Sequence, residues 1–318
     1  MKKQLLIAAV AATMTSVAFA DISITGGSKI NYTNTDYDTA ATPSKNLFAH
    51  DIDLTIVGKS GDTTVSVTMA DDTAGSETDG SAIGFDIENR FMSTKVGDVN
   101  IKVGQWDNGD DFVSASSRGV GKFSANTTVG GMKVVYDTAN NAGEAVTLST
   151  SMGGVNASYK QENAGEEVKL STTVQGVTIA YHADNSDVAA SDKNSIEISG
   201  EISGMKLAYV QIEADDVATI TGDSWAGDFE ETAGTRFLTA GQDVTAMKVS
   251  TSMAGNTVAF TRTDVDGGVT AGDLTLNKFV VTRPLASGAT FEATYTDQDD
   301  TGTAADLATL DLELSVKF

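Results

Sequence analysis

Apolar and polar residues alternate one by one along almost the whole chain after residue 20. Val65, Val67 and Met69 are separated by serine and threonine, and the same alternation recurs over residues 196–202. A repeat of two residues is the period of a β-strand whose two faces differ, whereas a helix repeats every 3.6 residues. Because no amphipathic helix pattern follows residue 20, the sequence predicts an all-β fold.

Counting the alternating segments predicts 18 strands, or 16 if one weak hairpin is merged. Short connections centred on glycine alternate with longer acidic connections. This order is typical of an antiparallel meander, which places the short turns at one end and the long loops at the other. The strands are expected near residues 21–33, 47–59, 63–70, 83–95, 99–106, 122–129, 132–138, 144–151, 155–161, 167–174, 177–184, 195–203, 205–213, 244–252, 257–264, 274–283, 289–297 and 307–318. The connections expected to be long are 71–79, 107–111, 162–167, 184–192, 214–243 and 297–306.

The first twenty residues have the pattern of a secretory signal peptide. Met1 is followed by two lysines, residues 5–12 are apolar, and Ala18-Phe19-Ala20 matches a cleavage site with small residues at both ends. We therefore expect residues 1–20 to direct export and the mature domain to span residues 21–318.

Charge and composition exclude several classes of function. The chain has 318 residues, with 21 Lys+Arg against 44 Asp+Glu, so its net charge of −23 would repel nucleic acid. It has no cysteine, which excludes disulfides and thiolate metal sites, and only two histidines, His50 and His182. Neither histidine lies in a catalytic motif, so we expect no enzyme activity, metal site or cofactor. The acidic connections could hold divalent cations loosely.

The number of strands and their modest apolar faces favour a closed barrel. A soluble sheet of about 18 strands would normally split into two packed layers. A transmembrane barrel needs apolar side chains towards lipid, polar side chains towards a wet lumen, and no free edge. The sequence therefore predicts an antiparallel up-and-down transmembrane β-barrel, and a secreted β-sandwich is the less favoured alternative.

The last strand carries a row of large apolar residues that finishes at the final residue, Phe318. Leu310, Leu312, Leu314 and Val316 share its parity. We interpret Leu312, Leu314, Val316 and Phe318 as a C-terminal sorting signal, because this ending resembles the one that the barrel-insertion machinery of Gram-negative bacteria recognises.

Three stretches, residues 21–27, 95–105 and 312–318, carry a resemblance to the general diffusion porins of Gram-negative outer membranes, in their short alphaproteobacterial style. The resemblance implies a homotrimer in the outer membrane, in contact with lipid and lipopolysaccharide. It also implies that the third long loop narrows the pore and that its carboxylates face basic residues on the wall. Here that loop follows Trp106, and the candidate constriction residues are Asp107, Asp110, Asp111, Arg90 and Lys102.

Charged residues within the strands should face the lumen, because charges towards lipid are costly. Parity places these further residues there: Lys29, Asp51, Asp53, Lys59, Asp86, Glu88, Lys133, Lys160, Lys169, Glu197, Glu201, Lys206, Lys248, Glu292 and Glu313.

The predicted function is a water-filled channel for passive diffusion of small hydrophilic solutes and ions. We expect it to prefer cations, since much of the excess negative charge lies in long loops at one mouth. Two alternatives remain open. One is a substrate-selective channel, which lumen aromatics would favour. The other is a structural or adhesive barrel with a plugged lumen.

Overall fold

The computed structural model describes residues 21–37, 44–73, 86–106, 121–140, 142–163, 165–187, 192–215, 241, 243–266, 273–301 and 306–318. These residues form eighteen β-strands joined into one sheet. The strands are β1 (Asp21–Tyr37), β2 (Lys45–Ser60), β3 (Thr63–Thr73), β4 (Asp86–Val96), β5 (Val99–Gln105), β6 (Lys122–Val129), β7 (Met132–Ala139), β8 (Ala142–Met152), β9 (Val155–Glu162), β10 (Gly165–Val174), β11 (Val177–Ser186), β12 (Lys193–Ile202), β13 (Met205–Ala214), β14 (Asp243–Met253), β15 (Asn256–Asp266), β16 (Leu274–Pro284), β17 (Ala289–Asp300) and β18 (Leu307–Lys317).

The sheet closes on itself as a barrel. Every strand pairs antiparallel with its neighbours in sequence, and β1 also pairs with β18 from Gly27 opposite Lys317 to Tyr37 opposite Leu307. Closure leaves neither terminal strand with an unpaired edge. The predicted all-β, closed, antiparallel barrel of 18 strands is confirmed, and the alternative count of 16 is wrong.

The two faces of the sheet differ sharply in exposure. The large hydrophobic side chains that are exposed lie on one face, with the exception of Leu47. This is the face that carries Ile24 in β1 and Val67 in β3. The buried side chains lie on the other face, with the exception of Ala183. This is the face that carries Thr263 in β15. Side chains converge inside a closed sheet and diverge outside it, so the buried face is the inner one. The outer face is apolar and the inner face is largely polar.

The short turns bring backbone into the left-handed region. Gly130 and Gly131 have φ of 59° and 84°, as a two-residue hairpin turn of the I′ type requires. Gln175, Ser203 and Ala254 adopt φ of 52° to 53° at the first position of comparable turns, each followed by glycine. These tight turns fix the register of each hairpin.

One predicted connection differs from the structure. The sequence predicts a long loop over the acidic stretch 162–167, but β9 runs to Glu162 and β10 begins at Gly165. The hairpin is therefore tight, and Glu162 and Glu167 belong to strands. The error arose because acidic residues are common in loops, whereas here they lie on the inner face of the barrel, paired with cations.

The strand number sets the width of the barrel. Strands about 4.8 Å apart and tilted by about 40° give 18 strands a backbone diameter of about 36 Å. This width leaves room for an aqueous space between the inner side chains. Within the described ranges, no helix has the length and apolar character needed to cross a membrane.

Candidate functional site

The inner wall carries the lysines. Every lysine in the described strands has its side chain on the inner face, as the register of each strand pair shows. They are Lys29, Lys45, Lys59, Lys95, Lys102, Lys122, Lys133, Lys160, Lys169, Lys193, Lys206, Lys248, Lys278 and Lys317. Carboxylates share this face, so the wall presents both signs of charge to the lumen.

Most of the charges predicted for the lumen lie on this inner face. One pair is a direct contact, with Lys29 Nζ 2.9 Å from Asp51 Oδ2. The residues placed there by the register are Lys29, Asp51, Asp53, Lys59, Lys133, Lys160, Lys169, Glu197, Glu201, Lys206, Lys248, Glu292 and Glu313. The side chain of Asp86 lies outside the described residues. The effect of these charges on transport stays a prediction.

The prediction that Arg90 faces the lumen is wrong, because its side chain lies on the outer face. It stands opposite Val67 in β3 and opposite Gln105 in β5, and its Nε donates to Gln105 Oε1 at 2.6 Å. The cause is a β-bulge at Thr68/Met69 in the register of β3 and β4, which makes Glu88 the extra residue of β4. Counting by twos across a bulge assigns the wrong face to everything on one side of it.

The bulge therefore changes two predictions. Arg90 does not belong to a constriction inside the lumen, and Glu88 sits at the bulge rather than in the regular alternation. The three carboxylates of the predicted constriction, Asp107, Asp110 and Asp111, lie outside the described residues. Of the five candidate constriction residues, only Lys102 is placed on the inner wall.

Lys102 lies between two aromatic rings. Its Nζ is 4.1 Å from the ring centre of Phe91 in β4 and 4.2 Å from that of Trp106, which directly follows β5. The two rings meet edge to face with centres 6.3 Å apart. Lys122 of β6, which is buried, has its Nζ 5.7 Å from the Trp106 ring. We call Phe91, Lys102, Trp106 and Lys122 the lysine–aromatic cluster.

Gly104 makes room for this cluster. It faces inward opposite Phe91, with φ of +146°. A side chain there would collide with the carbonyl oxygen of Arg90 and with the backbone of Phe91. Contacts of a cation with aromatic faces contribute about 0.5–2 kcal/mol each, so the rings hold the ammonium group at a fixed place on the wall. Sequence parity identified Lys102, but not the aromatic rings around it.

A second group of charges crosses β9 to β12. Glu167 is buried and contacts Lys169 Nζ at 2.6 Å and His182 Nε2 at 2.5 Å. On either side, Lys160 pairs with Glu162 at 3.0 Å. Lys193 pairs with Asp184 at 3.3 Å on the other side. We call these seven residues the charged network.

A concavity lies beside the charged network on the side of the short turns. Its volume is about 650 Å³, and hydroxyl groups of Ser149, Ser158 and Ser171 line it together with Lys133 and Lys169. Hydroxyl groups and ammonium groups can both donate hydrogen bonds to an oxygen-rich solute. This part of the wall is therefore suited to hydrated, polar solutes.

The inner wall has an apolar exception at β13 to β16. Its residues face inward near the ends that lead to the long connections, and all are buried. We call this set the apolar patch: Val210, Ile212, Val244, Ala246, Val265, Leu274 and Leu276. Parity predicts a uniformly polar lumen, so this patch is not evident from the sequence. With eighteen strands, β14 lies half-way round the barrel from β5, opposite the lysine–aromatic cluster.

The C-terminal residue closes the seam of the barrel. Phe318 exchanges two backbone hydrogen bonds of 2.9 Å with Gly26 of β1. Its ring lies so close to Gly26 that an added Cβ would approach it to 2.9 Å. Phe318 thus has a structural place in the folded barrel, while its role as a sorting signal stays a prediction. In the part of the chain that the structure describes, no three acidic or histidine side chains are grouped to hold a metal ion.

Comparisons with known proteins support the fold and nothing finer. No family model and no curated protein matches the chain. OccK9 (OpdG) of Pseudomonas aeruginosa has 13% identity and a TM-score of 0.71, over 94% of this chain and 98% of that chain. OpdK of Pseudomonas aeruginosa, solved with vanillate, has 9% identity and a TM-score of 0.68 over 94% and 98%. OccAB4 of Acinetobacter baumannii has 9% identity and a TM-score of 0.67 over 94% and 98%.

At such identities the likeness defines a class of fold. The chain is a closed, antiparallel, 18-stranded barrel with a polar inner wall, and it resembles these Occ proteins in fold across nearly its whole length. None of the three is described as a general diffusion porin, the class that the sequence resembles.

Proposed function

We propose that this protein is an outer-membrane channel that selects small organic anions. The observation that carries the proposal is a closed barrel whose outer face is apolar and whose inner face bears every lysine of the described strands. Such a wall suits lipid outside and water inside. OccK9 and OpdK share this fold, and OpdK was solved with vanillate, which supports selectivity over general diffusion.

The lysine–aromatic cluster is the feature that favours anions with a planar or apolar part. Lys102 supplies positive charge at one place on the wall and Phe91 supplies flat apolar surface beside it; both are partly exposed, whereas Trp106 and Lys122 are buried next to them. A carboxylate could contact the ammonium group while the rest of the solute lies against a ring. OpdK was solved with vanillate, an aromatic carboxylate, which agrees with this chemistry.

The test is conductance of the purified, refolded protein in planar bilayers. Benzoate, benzyl alcohol and benzylammonium are added in turn as probes of the same size and different charge. We expect benzoate to reduce the ionic current at concentrations where the other two probes have no effect. Absence of any channel activity would contradict the channel itself, and equal effects of all three probes would contradict selection of anions.

Matched variants locate the site. Lys102→Met keeps the length of the side chain but removes the charge, and should weaken the effect of benzoate about tenfold, as loss of one charged contact predicts. Lys102→Arg should retain it. Lys206→Met removes an inner-face lysine of β13 whose cross-strand neighbours are Glu201 and Ser250, and should leave the benzoate effect unchanged.

General diffusion with a preference for cations is the second candidate, and the net charge of −23 favours it. Acidic loops at one mouth would concentrate cations there. We also propose, for either candidate, that the N-terminal segment directs export and that the barrel assembles as a homotrimer. The barrel would contact lipopolysaccharide and the insertion machinery.

A further inference from the structure

Arginine and lysine are separated between the two faces of the wall. Every lysine in the described strands faces inward, whereas every arginine there, Arg90, Arg262 and Arg283, lies on the outer face. The two cations differ in chemistry. An ammonium group is strongly hydrated and suits a wet lumen, whereas guanidinium is weakly hydrated and its planar fork matches phosphate oxygens.

Arg90 stands in an apolar part of the outer face. Val67 lies opposite it in β3, and Met92 and Val103 lie one step nearer the short turns. The side chain is exposed, and its Nε donates to Gln105 Oε1. In the part of the chain that the structure describes, no carboxylate lies within ion-pair distance of it. Gln105 fixes one edge of the guanidinium, and its terminal amino groups can bind another group.

Arg262 is an outer-face arginine whose charge is paired within the chain, and it serves as a comparison for Arg90. Its Nε and Nη2 donate to the two carboxylate oxygens of Asp264 at 2.9 and 2.8 Å. Thr275 also donates to Asp264 at 2.9 Å. Both arginines are on the outer face, but only Arg262 has a counter-charge in the described residues. A guanidinium towards lipid is costly, so Arg90 is suited to binding a counter-anion that the described residues do not supply.

The height of Arg90 indicates where that anion lies. With a rise of about 2.5 Å per residue along the barrel axis, Arg90 is about 18 Å above the turn at Gly97. In an outer-membrane barrel the short turns are periplasmic and the apolar band is about 25 Å tall. Arg90 therefore lies in the outer-leaflet half of the band, and its long side chain can extend to the head groups.

We propose that Arg90, positioned by Gln105, binds a phosphate group of an outer-leaflet lipid on the outer face of β3 to β5. This inference rests on the proposed function, because it requires a barrel embedded in the outer membrane. The partner is a phosphorylated glycolipid of the lipid A type, and a carboxylate from a second copy of this chain is the competing occupant.

Native mass spectrometry of the refolded barrel in detergent tests the proposal. The probes are lipid A with two phosphates, lipid A with the phosphates removed, and phosphatidylethanolamine. We expect the doubly phosphorylated lipid to form a discrete adduct that the dephosphorylated lipid does not form. Arg90→Met should weaken that adduct at least about tenfold, since a charge-assisted bidentate contact is lost. Arg90→Lys should restore part of it.

Arg262→Met is the matched control, because its guanidinium is already occupied by Asp264, and it should leave the lipid adduct unchanged. Equal adducts for the wild type and Arg90→Met would overturn the inference. So would the conversion of an oligomer to monomers by Arg90→Met, which assigns the residue to a subunit contact. Conductance of the same preparations is measured in parallel. A barrel that conducts but does not bind the phosphorylated lipid contradicts this inference and leaves the proposed channel function intact.

Discussion

The two faces of the barrel wall are built from the same strands but tolerate charge in different ways. On the inner face, Glu167 is buried and lies between Lys169 and His182, so a buried charge there is stabilised by several polar neighbours. On the outer face the large side chains are apolar and exposed, and Arg262 is held in a closed pair with Asp264. The difference teaches that the solvent on each side, rather than strand propensity, decides what a position accepts.

The largest effect is expected at the seam. Phe318→Asp places a charge on the outer face where the ring now covers Gly26, and should abolish assembly of the barrel while export continues. Heat-modifiable migration of an outer-membrane fraction on a gel measures assembly. Lys317→Asp changes the neighbouring inner-face residue and should still assemble. Normal amounts of folded Phe318→Asp barrel would show that neither the seam nor the sorting signal depends on this residue.

A pair of adjacent residues compares the faces directly. Val249 faces outward opposite Phe260, and Ser250 faces inward opposite Ala259. Val249→Arg should lower the free energy of unfolding by about 2–4 kcal/mol, because an arginine would face lipid. Ser250→Arg should change it by less than about 0.5 kcal/mol. Urea unfolding in lipid vesicles measures both, and equal losses would mean that the outer face does not contact lipid.

The charged network gives a smaller, inner-face effect. Glu167→Gln removes the charge that Lys169 and His182 share, and should cost about 1–3 kcal/mol in unfolding free energy because a buried network loses a partner. Glu201→Gln alters an exposed inner-face carboxylate near a short turn and should be nearly neutral. A neutral Glu167→Gln variant would indicate that the network is fully hydrated.

The smallest effect concerns ion preference. If acidic loops at the mouth dominate, the reversal potential should show K⁺ preference at 0.1 M salt, where the Debye length is ~10 Å, and lose it at 1 M, where it is ~3 Å. Replacing Asp107, Asp110 and Asp111 by asparagine should weaken the preference. Anion preference at low salt would instead support control by the inner lysines, and an unchanged potential would place these carboxylates away from the path of the ions.

Strand count and the identity of the two faces could be predicted from the sequence, because both depend on a local period of two residues. The positions of Lys102, Lys133 and Lys160 on the inner face follow from parity within single strands. Arg90 could not be placed in this way, because the bulge at Thr68/Met69 adds one residue and reverses the faces. A bulge depends on how two strands pair, and a one-strand pattern does not contain that information.

By itself, the sequence determined that this chain forms about eighteen amphipathic strands with polar residues on one side. Only the tertiary structure decided which side chains meet. Phe91 lies in β4 and Lys122 in β6, and the register of these strands with β5 brings them to Lys102 and Trp106. The register that joins β1 to β18 and the inward position of the apolar patch were likewise decided by the whole barrel. The register between two strands depends on the length of each turn and on each bulge that precedes it along the chain. The neighbours of a residue across strands are therefore set by the whole barrel, whereas the two faces of a strand are set by its own residues.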